Sequence, residues 1–493
     1  MISKIGYISA VSGGTWPTIP YIFLHDNGDD DAFLGPYLCP SEITDAKLDA
    51  DAADQAFVDR LADGPVYKEA LKGWVTTTHG NKSFSQAVSE AYLEDYGLGN
   101  TYGESVKRRF FTQSEETAAA IVDRNSGLND HDLDINDFVW PRSNRPFLIV
   151  GGSFGHWYSV PFEATPLYCG LPGHHDVKKK GIVLGGGYIQ PHAVDSDAPG
   201  PKRHDCGDGG DYSTVVELPS VWRHFTLTEL IGLSSAAPGK TVPSAPYLRY
   251  WNPAEPKGRQ GRFIYGDGGW TENYGIAPLC RRQVPKIIAV VGGKRPIYSA
   301  EFVNPDGTIN GTIGNADKPM KALQRLWTGR EQVPPLFKDD IGQDWRAFWA
   351  EVCAERLKGG ATMVRRSHQV RTCRWWGTRE YTVDILWIFN ERAPAWEKKL
   401  ASTATAEFGV PKNGGPKDLE KFPNFHTGEI DLSPWQARLA THLWSWIVVS
   451  NKARIGEFMD VQIQDPHPCP EDDPPTADEP APAEDDVGDT PKE

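Results

Sequence analysis

The residue that most constrains how this chain can fold is Ser12. It closes the run Tyr7-Ile8-Ser9-Ala10-Val11, whose aromatic and β-branched side chains suit a strand, and Gly13 and Gly14 follow at once. A serine held against residues with almost no side chain can occupy a sharp, strained strand-to-helix turn, with its hydroxyl standing clear of the sheet. Gly14 supplies the downstream glycine of the Gly-x-Ser-x-Gly pattern. Ala10 replaces the upstream one, which keeps the room but not the backbone freedom.

A second segment, Arg262 to Leu279, complements the first. Another short β-type run, Phe263-Ile264-Tyr265, delivers Asp267 between Gly266 and Gly268, 255 residues after Ser12. A serine hydroxyl is a poor nucleophile until a base takes its proton. A carboxylate can serve as that base when burial raises its basicity. Asp267 is the candidate base and Ser12 the candidate nucleophile. Such a pair suits esters, because an alkoxide leaving group needs less protonation than an amine. Glycines around both residues let the backbones approach, and the Gly13 amide follows the nucleophile directly, where it can donate to an oxyanion.

The two segments together resemble the catalytic domain of the cytosolic phospholipase A2 and lysophospholipase B family, relatives of patatin. The family's Leu-Ser-Gly-(Ser/Gly)-(Thr/Ser)-Trp is matched at Ser12, Gly13, Gly14, Thr15 and Trp16, with Val11 in the leucine's place. Asp267, Gly268, Asn273, Pro278, Leu279, Arg282, Val284, Ile287 and Ile288 answer its aspartate segment in order. Phe162-Glu163-Ala164-Thr165-Pro166 with Gly170 is similar to the family's Phe-Glu-Phe-Thr-Pro block. The resemblance runs to about Val291 and is thin beyond. It implies a three-layer α/β patatin-like fold with a largely parallel central sheet flanked by helices. It also implies a lipid acyl hydrolase with a Ser12–Asp267 dyad, Gly13 as oxyanion donor, and phospholipid or lysophospholipid substrates met at a membrane or micelle surface. Arg281 and Arg282 are candidates for binding the lipid phosphate, although a helix C-terminus accounts for them equally well.

The resemblance also implies a Gly-Gly-Gly-basic oxyanion loop well upstream of the nucleophile, and only eleven residues precede Ser12. Three readings follow: a start assigned too late, which is the expected one, a differently built oxyanion hole, or a patatin-like binding or scaffold protein that is catalytically impaired.

Other motifs compete with Ser12. Gly151-Gly152-Ser153-Phe154-Gly155 fits Gly-x-Ser-x-Gly literally, yet the β-prone His156-Trp157-Tyr158-Ser159-Val160-Pro161 after it opens no helix, so a loop glycine cluster is expected. Gly185-Gly186-Gly187 likewise reads as a glycine bend in a loop. His174, His175, Asp176, His192, Asp195, His204, Asp205, Cys206 and Asp208 crowd one region, but without the short fixed spacings of zinc sites. A polar surface insertion is expected there, with no metal and no cofactor; a metal-assisted hydrolase ranks well below the dyad.

Seven scattered cysteines, Cys39, Cys169, Cys206, Cys280, Cys353, Cys373 and Cys469, suggest reduced thiols and a cytoplasmic protein, peripheral to membranes at most. No signal peptide and no apolar run of spanning length is visible. The stretch from Asp465 to Glu493 carries eleven acids against Lys492, and so ten of the fifteen net negative charges. With eight prolines it cannot pack, and it would repel nucleic acid, so no nucleic-acid partner is expected. The expected organisation is a catalytic unit over residues 1–463, with a core over 1–292 and a C-terminal part over 293–463, followed by a disordered acidic tail over 464–493. Helical patterns are read near Ser41–Leu61, Val66–Thr78, Phe84–Tyr96, Gln113–Arg124, Phe225–Leu233, Gln343–Leu357 and Pro434–Val448, alternating with short β-type runs.

Overall fold

The computed structural model describes residues 2–24, 30–49, 83–100, 108–124, 133–155, 160–177, 182–195, 202–205, 212–215, 225–236, 247–250, 261–293, 296–297, 317–330, 332–340, 342–405, 419–425, 432–463 and 469. The helix expected at Val66–Thr78, most of that at Ser41–Leu61, and the acidic tail apart from Cys469 lie outside them.

In chain order the described strands are β1 (Tyr7–Val11), β2 (Phe110–Phe111), β3 (Phe138–Val139), β4 (Phe147–Phe154), β5 (Val160–Ala164), β6 (Cys169–Val177), β7 (Ile182–Ile189), β8 (Lys202–Asp205), β9 (Tyr212–Val215), β10 (Tyr247–Tyr250), β11 (Gly261–Asp267), β12 (Lys286–Val291), β13 (Met363–Val370) and β14 (Tyr381–Phe389). The main sheet has the order β10-β11-β4-β5-β6-β7, with β1 also paired to β4. Only the β1–β4 pair in this sheet is parallel; the other five are antiparallel. The expected largely parallel sheet is therefore corrected. Strands β4 to β7 follow one another as a meander, and short links between sequential strands impose antiparallel pairing. A second sheet, β12-β14-β13, has one parallel and one antiparallel pair.

The geometry around β4 places the site. Strand β5 covers one edge over Val150–Phe154. On the other edge β1 ends with Val11 opposite Gly151, and β11, running the other way, ends with Asp267 opposite Gly152. Two strands thus approach each other head to head along one edge of β4, and their last residues meet at adjacent glycines.

Those glycines are a packing requirement. A Cβ on Gly151 would lie 2.8 Å from Val11 Cγ2, and one on Gly152 would lie 2.5 Å from Leu233 Cδ2. The expected loop cluster at Gly151–Gly155 is corrected accordingly, since Gly151, Gly152 and Ser153 are buried inside β4. Gly185–Gly187 likewise belong to β7 rather than to a loop bend. Gly185, at φ +95°, passes so close to β6 that its Cβ would meet the Gly173 carbonyl oxygen at 2.3 Å, beside the register shift between Leu171 and His174.

Helix α1 (Thr15–Phe23) leaves the elbow directly, through a 3-10 turn at Ser12–Gly14. Helices α2 (Phe84–Tyr92) and α3 (Glu115–Arg124) follow, and α4 (Leu227–Ser235) packs on β4 and β11. The start of α4 is set by Thr226 and Glu229, a reciprocal pair in which the Thr226 amide donates to Glu229 Oε2 at 3.0 Å. The core beneath the elbow joins Ile19, Ile22 and Phe23 of α1, Val88 of α2, Leu148 and Phe154 of β4, and Leu230 and Leu233 of α4. Helix α5 (Ile276–Arg281) links β11 to β12, and α6 (Asp317–Thr328) and α7 (Gln343–Leu357) pack with the second sheet through Trp327, Phe348 and Trp387. Helices α8 (Pro434–Ser450) and α9 (Lys452–Met459) form a third core with Trp396 and Trp435. Among the described residues no helix is long and apolar enough to cross a membrane.

Cys39 and Cys469 form a disulfide. The expectation of uniformly reduced thiols is corrected, because the fold brings together two residues 430 positions apart. Cys169, Cys280, Cys353 and Cys373 are free.

Candidate functional site

Ser12 has φ +56°, a left-handed backbone conformation uncommon for a residue with a side chain. Such a conformation costs about 1–2 kcal/mol unless its surroundings hold it. Here they do. The Ser12 amide donates to Ser234 Oγ at 3.1 Å, and Thr15 Oγ1 donates back to the Ser12 carbonyl at 2.6 Å. Turned in this way, Ser12 Oγ donates to Asp267 Oδ2 at 2.7 Å across 255 residues of sequence. Ser12 itself is only half-buried.

Asp267 is 5% exposed and ends β11. It caps the 3-10 turn Gly268–Trp270, where its Oδ1 accepts the Gly269 amide at 2.7 Å. Burial pushes its carboxyl above the ordinary value of 3.8, and the hydrogen bonds from Ser12 and Gly269 pull the other way. One oxygen is thereby fixed by the backbone and the other points at the serine. A carboxylate so placed is both more basic than a solvated one and correctly aimed.

Gly268 makes the approach possible. A Cβ there would lie 2.5 Å from the Gly151 carbonyl oxygen and 3.0 Å from Val11 Cγ1. Gly13, directly after the serine, lies in the 3-10 turn that runs into α1. Trp16, whose ring would be 3.9 Å from a Gly13 Cβ, stacks on Tyr92 at 4.8 Å.

Arg281 and Arg282 are both ion-paired with Glu163, which is buried on β5. Arg282 also donates to the Tyr168 hydroxyl and to the Pro278 carbonyl. These guanidiniums tie α5 to the main sheet. Ser153 is 1% exposed, the second-to-last residue of β4.

The histidine-rich region is dispersed. His174 is exposed, whereas His175 is buried, with Nε2 against the Pro172 carbonyl at 2.6 Å and its ring against Trp375. Burial lowers both His175 and His192 to about 4, so each is neutral at pH 7. Asp195 accepts the Arg249 amide at 2.6 Å. Cys206 and Asp208 lie outside the described residues, as do the side chains of Asp176, His204 and Asp205. Among the described residues no three His, Cys, Asp or Glu side chains are grouped to hold a metal ion.

Two features of the site escaped sequence reasoning. Ser234 carries no motif; only the small residues Gly232, Ser234 and Ser235 at the end of an apolar helix hint at close packing. The Gly269 amide that holds Asp267 is a backbone contact and leaves no sequence signature.

No protein-family model matches the chain, and no curated protein matches it in sequence. Among solved structures it is similar to human GIVD cytosolic phospholipase A2, at 11% identity and a TM-score of 0.38, over 92% of this chain and 55% of that one. It is also similar to the same human protein in complex with methyl gamma-linolenyl fluorophosphonate and terbium chloride, at 10% identity and a TM-score of 0.34, over 92% and 54%. The chain spans about half the length of these structures.

Proposed function

We propose that this chain is a lipid acyl hydrolase that cleaves fatty-acyl esters of phospholipids or lysophospholipids through Ser12 and Asp267. The observation that carries the reading is the 2.7 Å hydrogen bond from the Ser12 hydroxyl to a buried carboxylate, made by a serine in a left-handed elbow. Ser12 Oγ attacks the acyl carbonyl carbon while its proton passes to Asp267 Oδ2. The tetrahedral oxyanion accepts the Gly13 amide. The C–O bond to the alcohol then breaks, and Asp267 returns the proton to the leaving oxygen. Water, deprotonated by Asp267, attacks the acyl-serine, and the fatty acid leaves as Ser12 recovers its proton.

The substrate is presented at a micelle or membrane surface. Trp270, three residues beyond Asp267 and 36% exposed, suits contact with such a surface. Neither a metal nor another cofactor is called for by this chemistry.

An alkyl fluorophosphonate tests the reading, because it phosphonylates activated serines. The wild-type chain should be labelled and should release fatty acid from lysophospholipid micelles, chelator or not. Ser12→Ala should abolish both, and Asp267→Asn should lower both by at least about 10³-fold with the fold intact. A well-folded wild-type chain that neither labels nor turns over lipid refutes the hydrolase and favours a patatin-like binding protein. Turnover that survives Ser12→Ala and is lost with chelator would point to a metal-dependent reaction.

A further inference from the structure

We infer that Ser234, on the last turn of α4, is a positioning residue for the nucleophile, holding the Ser12 elbow in the conformation that aims its hydroxyl at Asp267. The inference rests on the hydrolase reading for its catalytic consequence, but its geometry is independent of it.

The Ser234 side chain is fully buried and serves two partners at once. Its oxygen accepts the Ser12 amide at 3.1 Å, and its proton goes to the Gly151 carbonyl at 2.6 Å. A hydroxyl has one donor and two acceptor positions, so this arrangement fixes its rotor. Gly151 is the residue of β4 opposite which β1 ends, and its carbonyl oxygen is also the atom against which Gly268 packs. One side chain therefore ties the nucleophile's backbone to the point on β4 where the ends of β1 and β11 meet.

Helix α4 has little freedom to move away. Leu233 lies against the face of Gly152, where a Cβ would meet its Cδ2 at 2.5 Å, and a Cβ on Gly232 would lie 2.2 Å from Ser85 Oγ of α2. The helix is wedged between β4 and α2, so Ser234 reaches Ser12 from a rigid base. Without its hydroxyl, two backbone groups, the half-buried Ser12 N–H and one lone pair of the buried Gly151 carbonyl, lose their partner. The Ser12 peptide is then no longer held in its plane, and its rotation turns Oγ away from Asp267.

The test uses the whole chain and three readouts. In Ser234→Ala the second-order rate of fluorophosphonate labelling should fall about tenfold, the value of one lost hydrogen bond, with the loss in the maximal labelling rate and not in the half-saturating probe concentration. Ser234→Cys, which keeps a weak donor and acceptor at similar volume, should recover part of that loss. Hydrogen exchange at the Ser12 amide, followed by mass spectrometry of a peptide spanning it, should quicken in Ser234→Ala and not in a Ser235→Ala control.

Labelling at the wild-type rate, or unchanged exchange at Ser12, would overturn the inference. So would a labelling loss that tracks a lowered melting temperature and is equal in the Ala and Cys variants, which is the pattern of a merely structural residue. If the wild-type chain does not label at all, the hydrolase reading fails, and exchange at Ser12 still decides whether Ser234 holds the elbow.

Discussion

Gly268→Ala is the sharpest probe of the site, because it adds one carbon at the place where the two strand ends are closest. The new Cβ would lie 2.5 Å from the Gly151 carbonyl oxygen, 2.8 Å from its carbon and 3.0 Å from Val11 Cγ1. The nearest obstacles are backbone atoms of a central strand held on both edges, so no side-chain rotation relieves the overlap. Ordinary contact begins near ~3.4 Å, so β11 must retreat by roughly 0.9 Å at its last residue. Asp267 is that residue. The Ser12–Asp267 distance of 2.7 Å would then stretch beyond the range of an O–H···O hydrogen bond. A misplacement of this size costs about 10²-fold in rate, and the crowding costs about 1–3 kcal/mol of stability. Fluorophosphonate labelling and urea unfolding measure the two separately. Gly6→Ala is the control, since nothing lies within 4 Å of its Cβ and it should label normally. If Gly268→Ala folds and labels at the wild-type rate, close approach of the strand ends is not what makes the serine reactive, and the argument fails.

Further outcomes follow from the charges and the crosslink. Burial raises Asp267, so labelling should fall as pH drops through a value above the ordinary 3.8, and that acid limb should vanish in Asp267→Asn. The same shift has a sign for stability: the contribution of Asp267 is fully present below 3.8 and is lost as pH rises through the raised folded value. Chemical denaturation across that window should show wild type losing more stability than Asp267→Asn. Glu163→Ala leaves two partly buried guanidiniums without their buried carboxylate and should cost up to ~3–5 kcal/mol by urea unfolding, whereas Ser12 labelling per folded molecule should change little. Reduction of Cys39–Cys469, which closes a 430-residue separation, should lower the melting temperature, with a chain-entropy contribution of at most about 6 kcal/mol. Alkylation of the denatured chain should add two more groups after reduction than before.

The difference between what was legible in the sequence and what was not has a physical pattern. Ser12 and Asp267 stood out because each sits at a strand end where the backbone must be bare, and glycines mark such places locally. The structure holds their oxygens within a hydrogen bond. The described helices near Phe84, Phe225 and Pro434 were legible from their periodic patterns, and their starts are set locally, by Ser83 with Gln86, Thr226 with Glu229 and Ser433 with Gln436. Sheet direction was not, since a β-type run looks the same whichever way its neighbour points. The glycines at 151–152 and 185–187 were read as turns because local conformational freedom is the commonest reason for glycine. Here the reason is distant in sequence: Val11 and Leu233 against the pair in β4, and Gly173 against Gly185.

This distinction bears on the site itself. Its two reacting residues are local features, but the distance between them is set by non-local ones: the shared edge of β4, the bare faces of Gly151, Gly152 and Gly268, and the Ser234 hydroxyl of a helix wedged behind them. A chain could keep both glycine-flanked motifs and lose the hydrogen bond by one methyl group at Gly151 or Gly152. The reactivity proposed for Ser12 therefore depends less on the elbow's own sequence than on how tightly three separate segments converge on a single carbonyl, that of Gly151.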